Sequence, residues 1–183
     1  MKYNIDDIRK KYQSNERLKY LFFWSHRPSK DGQITKNCLS QWWECDFEVD
    51  GTLYRSAEQF MMAEKARLFG DLLIREQIFQ SKHPKQAKEL GRKVSGFKQD
   101  IWINERYDIV KRGNLAKFSQ NAELKEFLLK TGNRVLVEAS PVDKIWGIGL
   151  SADDKDIENP HKWQGLNLLG FALMEVRDEL EDL

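Results

Sequence analysis

The stretch SAEQFMMAEKA, residues 56–66, predicts the start of a helix around which the rest of the fold can be organised. Ser56 is a favourable N-cap residue, and Gln59, three positions later, can bond back to it as a capping box. Because an α-helix advances about 100° per residue, Ala57 and Met61 fall on one line of its surface, together with Leu68. This line is the face that we expect the helix to bury.

The charged residues of this stretch, Glu58, Glu64 and Lys65, do not keep to the polar side of the helix. Glu64 lies beside Ala57 on the apolar line, and Glu58 and Lys65 share one azimuth that borders the line. One interpretation is a solvated edge, with the long lysine stem lying along the surface. The other is a carboxylate at the wall of a pocket, which would need a functional reason.

The segment before this helix, CDFEVDGTLYRS at 45–56, predicts a β-hairpin. Phe47 and Val49 alternate with polar residues before the Asp50-Gly51 pair. An Asp-Gly pair between alternating runs is among the strongest short-range hairpin signals. The hairpin is therefore expected to lead directly into the helix.

Beyond these two elements, the chain is predicted to be mainly helical. Pro near the first turn and Gly after the last one are typical helix boundaries, and Gly91 and Gly132 fit the second role. A strand is predicted at 134–140, RVLVEAS, followed by a long loop. These elements predict a helix-rich α+β fold with a small sheet. The further helices are predicted near 71–80, at 84–90, around 100–112, at 122–130 and at 166–181.

Length and cysteine content place bounds on the class of protein. A chain of 183 residues is long enough for one well-cored domain and short for two, so a single compact domain over 1–183 is expected. Cys38 and Cys45 occur without a CxxC pair or a histidine cluster, so we expect neither a zinc site nor a disulfide scaffold. The absence of a signal-peptide-like or membrane-spanning apolar run predicts a soluble cytoplasmic protein without a membrane partner.

The charges of the chain nearly cancel, with 30 Lys and Arg residues against 29 Asp and Glu residues. A protein that binds nucleic acid mainly through backbone phosphates carries a marked basic excess. Charge alone therefore does not indicate long nucleic acid as a partner.

The common phosphate-loop, dinucleotide, zinc-protease and serine-hydrolase motifs are missing, and three acidic residues beside aromatic or glycine residues remain as candidates. These are Glu58, Glu138 and Asp143. Asp143 precedes the segment WGIG at 146–149, where glycines would let backbone N–H groups approach a ligand and Trp146 would offer a flat ring. The alternative is an aspartate that caps its own turn.

Trp102 and several basic side chains are also open to two interpretations. Trp102, near the start of its helix, is either core or a stacking platform. The basic residues would bind phosphate oxygens or lie solvated on helices. Together the residue types permit acid/base chemistry on a phosphorylated, ring-bearing small molecule. The basic residues are Lys65, Arg92, Arg106, Arg112 and Lys117.

These residues occur in an order that resembles the YbiA-like NADAR family, from FFWS near position 22 to LMEVRDEL at the C-terminus. The resemblance rests on the order of many short motifs, each weak by itself. Residues 1–19 precede it as an N-terminal extension of uncertain role. The motifs are LSQWW (39–43), YRSAEQFMMAEKA (54–66), LGRKV (90–94), Trp102 with Arg106, AKFSQN (116–121), LVEASPVDKIWGIGL (136–150) and WQGLNLLGFALMEVR (163–177).

The resemblance implies a compact α+β domain that cleaves N-glycosidic bonds. Some members act on ribosylamino-pyrimidine phosphates, which are early intermediates of riboflavin synthesis, and others remove ADP-ribose from modified guanine in nucleic acid. The essential Glu, Trp and Asp of the family fall on Glu58, Trp102 and Asp143. No metal or other cofactor is implied. Ligand-binding positions are implied at Trp24, Ser25, Ser40, Lys65, Arg106, Lys117, Trp146, Gly147 and Asn167.

Hydrolysis of an N-ribosyl bond passes through an oxocarbenium-like sugar cation, and the three implied residues fit its needs. Glu58 is assigned to activating water or stabilising the cation, Asp143 to the other acid/base or orienting role, and Trp102 to stacking on the base or ribose. The helix N-terminus should keep Glu58 ionised, whereas burial should oppose its ionisation.

Two observations leave the substrate and the class of protein open. Many family members have Leu-Ser-Asn-Phe where this chain has Leu39-Ser40-Gln41-Trp42, a longer amide and a larger ring, so substrate preference is expected to differ. A non-catalytic module that binds ADP-ribose or a nucleotide would use the same rings and basic groups but would not need both acids. A purely structural protein would leave the interior charge of the helix unexplained.

Overall fold

The computed structural model describes residues 1–182, and in this range helices outnumber strands, as predicted. The sheet is divided into two two-stranded sheets rather than one. The α-helices are α1 (Ile5–Gln13), α2 (Ala57–Leu68), α3 (Leu72–Phe79), α4 (Pro84–Gly91), α5 (Gln99–Gln120), α6 (Ala122–Lys130) and α7 (Leu168–Glu181). The strands are β1 (Tyr20–Phe23), β2 (Glu44–Val49), β3 (Thr52–Ser56) and β4 (Val135–Glu138).

Two compact units make up the chain. The hairpin unit, Gln41–Ala122, contains β2, β3 and α2 to α5. The terminal unit combines Met1–Ser40 with the chain from Glu123 onward, and it contains α1, β1, β4, α6 and α7. Within residues 1–182, no helix combines the length and apolar character needed to cross a bilayer.

The predicted hairpin opens the hairpin unit. β2 and β3 pair antiparallel, and the two residues that join them, Asp50 and Gly51, have φ angles of 50° and 73°. Two successive positive φ values define the tight turn that matches the twist of a hairpin, and Asp-Gly is suited to it. Phe47 faces Tyr54 across the strands with ring centroids 5.9 Å apart, so this pair forms the inner side of the hairpin.

Helix α2 is buried on nearly all sides within this unit, which explains why its charges cannot all face solvent. Gly91 in α4 and Gly113 in α5 allow this close packing, because a Cβ atom at either position would overlap the side chain of Met62 or Phe60. The prediction that Gly91 stops α4 is wrong in detail. Gly91 is the last residue of that helix, and its lack of a side chain allows the helix to pack closely against α2.

The terminal unit is organised around the parallel pair β1 and β4, with α7 packed on β4. Close packing is possible because a Cβ at Gly170 would overlap the carbonyl oxygen of Leu136. The sequence predicted the strand at 134–140 but neither β1 nor α1. Helix α7 begins at Leu168 rather than at 166, because Asn167 adopts a left-handed conformation with φ 55°.

Candidate active site

The first turn of α2 carries Glu58, which is buried, with 3% of the residue exposed. The backbone N–H of Glu58 donates to the carbonyl oxygen of Gln41 at 2.9 Å. Ser56 Oγ accepts from Gln59 N at 3.1 Å, which confirms the predicted N-cap. The predicted capping box would bond the Gln59 side chain to the backbone N–H of Ser56. In the structure, Gln59 Oε1 accepts instead from the N–H of the preceding residue, Arg55, at 2.8 Å. These bonds fix the turn that carries Glu58.

Lys65 lies seven residues after Glu58, which places both on one face of α2. Its Nζ donates to the carbonyl oxygen of Gly91 at 2.8 Å and lies 4.5 Å from the ring centre of Phe97 and 5.7 Å from that of Trp102. Burial lowers the pKa of Lys65 below its ordinary value. The structure therefore brings Lys65 and Trp102 together, as the resemblance implied for two residues of one pocket.

Trp102 and Arg106 follow each other by one turn of α5, so they share a face of that helix. Arg106 is buried and Trp102 is partly exposed. Lys117, also buried, lies 15 residues beyond Trp102, about 22 Å along the helix. Lys117 and Trp102 therefore cannot contact the same small group. Burial raises the pKa of Cys45, and the charge of Lys117 opposes that rise, so Lys117 lies instead near the hairpin strand β2.

A buried amide pair beside Glu58 is a feature that the sequence analysis missed. Asn114 Nδ2 donates to Gln41 Oε1 at 2.7 Å and to the carbonyl oxygen of Val110 at 2.9 Å. The Val110 carbonyl can only accept, so it fixes the orientation of the Asn114 amide and, through it, that of Gln41. Within residues 1–182, Gln41 Nε2 and Asn114 Oδ1 are buried without a hydrogen-bond partner, which costs free energy and calls for an explanation other than packing.

Asp143 lies in the terminal unit and caps its own turn. Its Oδ1 accepts from the backbone N–H groups of Ile145 and Trp146, each at 2.8 Å. These bonds correspond to the turn-capping alternative given for Asp143 in the sequence analysis. Both bonds use the same oxygen, so Oδ2 is not needed to cap the turn. Asp143 is half-buried, as is Trp146.

The loop after Asp143 is held against β4 by Asn167. Asn167 Oδ1 accepts from Glu138 N at 3.0 Å, and Nδ2 donates to the carbonyl oxygen of Leu136 at 2.9 Å. Asn167 N donates to the carbonyl oxygen of Gly147 at 3.1 Å. A Cβ on Gly147 would lie only 2.8 Å from the carbonyl oxygen of Glu138, so the loop approaches β4 too closely for a side chain there. Asn167 and Gly147 thus position the backbone of the Trp146 segment.

The other candidate positions of the terminal unit differ in exposure. Trp24 is 52% exposed, and the exposed Ser25 accepts from Arg27 N through its Oγ at 3.2 Å. Ser40 is buried at the end of a short 3₁₀ helix, Lys36–Leu39, and its N–H donates to the carbonyl oxygen of Asn37. Among residues 1–182, no group of three or more His, Cys, Asp or Glu side chains is arranged to hold a metal ion.

Comparison with known proteins connects these residues to a family. An N-glycosidase of Acanthamoeba polyphaga mimivirus is 46% identical over 166 residues, 88% of this chain and 96% of that protein. A riboflavin biosynthesis protein of Vibrio vulnificus is 31% identical over 144 residues, 79% of this chain and 35% of that protein. The NMR structure of the E. coli protein YbiA is similar with a TM-score of 0.72 and 28% identity, covering 90% of this chain and 86% of that one.

The NADAR domain family model matches residues 22–181, which include every candidate site residue described above. The family predicted from the order of the sequence motifs is thereby confirmed, and the chain belongs to the NADAR domain family.

Proposed function

We propose that the protein is a hydrolase that cleaves the N-glycosidic bond between ribose and the base of a phosphate-bearing nucleotide. The observation that carries the proposal is Glu58, a carboxylate with 3% of the residue exposed in a turn fixed by Gln41 and Ser56. A buried carboxylate held in a fixed position near an anomeric carbon is what an oxocarbenium-like transition state requires. The N-glycosidase of the mimivirus, similar over 88% of this chain, supports the same reaction.

In this mechanism the bond between the anomeric carbon and the base nitrogen breaks, and its electron pair stays with the base. Glu58 stabilises the positive charge that develops on the sugar and accepts a proton from the attacking water. The water oxygen bonds to the anomeric carbon, which gives a free sugar hydroxyl. The resemblance to the NADAR family, rather than a contact in the structure, assigns Asp143 to protonating the departing base or orienting the water.

The remaining groups of the proposed site bind the substrate. Trp102 offers a partly exposed ring beside the Lys65 cation, an arrangement suited to a flat base or a ribose flanked by phosphate. Arg106, one turn further along α5, is assigned to a phosphate oxygen. The amide pair of Gln41 and Asn114 is connected to Glu58 through the backbone bond between Glu58 and Gln41, and we assign its unused donor and acceptor to polar groups of the substrate.

Two substrate classes fit this assignment: ADP-ribosylated guanine and ribosylamino-pyrimidine phosphates. The deciding experiment incubates the purified protein with an ADP-ribosylated guanine oligonucleotide and, separately, with a ribosylamino-pyrimidine phosphate. Chromatography then measures the released base and the free sugar phosphate or ADP-ribose. Release from one of them identifies the substrate class, with the Glu58→Gln variant as the matched control.

A non-catalytic ADP-ribose-binding module is the alternative outcome of this experiment. It would bind the ligand in a calorimetric titration and release no base from either substrate. Binding without turnover by the wild-type protein would contradict the proposed hydrolase activity but would agree with the proposed class of ligand.

A further inference from the structure

A polar cavity with a volume of about 310 Å³ lies within the hairpin unit. Its lining carries three guanidinium groups and two carboxylates, so the formal charge of the lining is positive. The lining residues are Val49, Asp50, Thr52, Tyr54, Phe60, Glu64, Arg67, Arg75 and Arg112.

Two of the three guanidinium groups form ion pairs with Glu64. Its side chain is 4% exposed and accepts from Arg67 Nε through both carboxylate oxygens, at 3.0 and 3.1 Å. Arg112 Nη2 donates to Glu64 Oε2 from the other side. One buried carboxylate thus already has two positive partners, more than its own neutralisation requires.

Arg75 carries the third guanidinium of the cavity. Within residues 1–182, no Asp or Glu oxygen lies in ion-pair range of Arg75, and its Nε is buried without a hydrogen-bond partner. Its guanidinium lies 5.1 Å from the ring centre of Phe79, and its charge opposes the rise in the pKa of the neighbouring Tyr54. Burial raises the pKa of Tyr54, so its hydroxyl remains a neutral donor in this cavity.

The cavity is separate from the face of α2 that carries Glu58 and Lys65. Glu64 follows Glu58 by six residues, which turns its side chain about 120° away around the helix axis. Lys65 contacts the rings of Phe97 and Trp102, whereas Glu64 pairs with Arg67 and Arg112. The arginine cavity is therefore not part of the proposed catalytic face.

We infer that this arginine cavity is a binding site for a phosphate-type oxyanion, either a phosphate monoester or a diphosphate group. Guanidinium groups match the paired oxygens of phosphate, and an anion with more than one negative charge best offsets the positive excess. Arg75 is the principal ligand because its N–H donors are not engaged by a carboxylate. Asp50, on the hairpin turn at the edge of the cavity, weakens the binding of any anion.

The test is a calorimetric titration of the full-length protein with pyrophosphate and with inorganic phosphate, at constant ionic strength maintained with chloride. We expect Arg75→Gln to weaken pyrophosphate binding by at least about tenfold, because a charged pair of donors is lost. Arg55→Gln, on the exposed side of β3, is the matched control and should leave binding within about twofold. Thermal unfolding should show that both variants fold, since neither arginine pairs with a buried carboxylate.

Two further variants separate this site from the catalytic face. Asp50→Asn should tighten pyrophosphate binding, because a repulsive charge is removed. In a Lys65→Gln background, the component of binding that depends on Arg75 should persist. Equal pyrophosphate binding by the wild type and Arg75→Gln would overturn the inference, and so would binding no stronger than that of chloride. Arg75-dependent binding of a single-stranded oligonucleotide without any pyrophosphate binding would contradict the proposed ligand class.

Discussion

At the scale of single residues, Glu58 carries the proposed chemistry, and its removal is the most direct test. Glu58→Gln keeps the shape of the side chain and loses its charge, so we expect turnover to fall by about 10²–10⁴-fold while ligand affinity stays within a few-fold. The measurement is kcat and ligand Kd for the purified variant, with its unfolding temperature as the control for folding. Activity equal to that of the wild type would remove Glu58 from the mechanism.

Lys65 gives a prediction about pH. Burial lowers its pKa in the folded state, so folding penalises its charged form. The penalty is complete while the lysine is protonated in both states, and it disappears as the pH rises through the folded pKa toward the ordinary value of 10.5. We therefore expect the free energy of unfolding of the wild type to rise on the alkaline side relative to that of Lys65→Met.

Denaturant titrations of both proteins at neutral pH and at several alkaline values measure this difference. Subtracting one variant from the other cancels the titration of the remaining lysines and tyrosines. A difference that is independent of pH would show that the hydrogen bond of Lys65 to Gly91 balances its desolvation, and a change in the opposite direction would show that the bond outweighs it.

Part of the site could be predicted at this scale because its residues follow from helix periodicity. Glu58 and Lys65 are seven residues apart, which is almost two full turns of a helix. Their position on one face of α2 therefore follows from the sequence alone. The amide pair of Gln41 and Asn114 could not be predicted, since 73 positions separate its members and neither residue type marks a buried contact. The turn-capping bonds of Asp143 were one of two alternatives that its spacing allowed.

At the scale of secondary-structure elements, close packing of α2 against α5 depends on Gly113. Glycine usually weakens a helix, so Gly113→Ala would be stabilising if helix propensity decided the outcome. A Cβ at this position overlaps the ring of Phe60, which is buried and cannot move away easily. We expect Gly113→Ala to destabilise the protein by about 1–3 kcal/mol through overpacking.

Chemical denaturation measures this change, and Glu105→Ala, at an exposed position of the same helix, is the control. The control should stay within about 0.5 kcal/mol of the wild type. A gain of stability in Gly113→Ala would mean that α2 and α5 are free to move apart.

The elements that could be predicted are those with local signals. The hairpin follows from Asp50-Gly51, and α2 follows from its N-cap. Strand β1 has only four residues and pairs with β4 more than a hundred positions later, so no short-range pattern identifies it. Helix α1 buries only Ile8, and the segment just before it is held by the bond that Tyr3 donates to Asp178 of α7, which local sequence does not reveal.

At the scale of the whole molecule, the nearly balanced charge decides between a short and an extended substrate. A protein that grips a nucleic-acid strand through many phosphates loses affinity steeply as salt is added, in proportion to the number of phosphates contacted. The formal net charge of this chain is only +1, and a buried carboxylate offsets part of the positive charge of the arginine cavity. We therefore expect recognition of the ribose-phosphate part and its attached base, with few contacts to flanking nucleotides.

The measurement compares kcat/KM for a modified mononucleotide with that for an oligonucleotide carrying the same modification, each at low and at moderate salt. We expect the two substrates to differ by less than about tenfold at either salt concentration, because each flanking phosphate bound would add to the salt dependence. An unmodified oligonucleotide added as a competitor controls for binding of the strand alone and should inhibit weakly. A preference of about a hundredfold for the oligonucleotide that collapses with salt would show that a local basic surface binds the strand despite the balanced total charge.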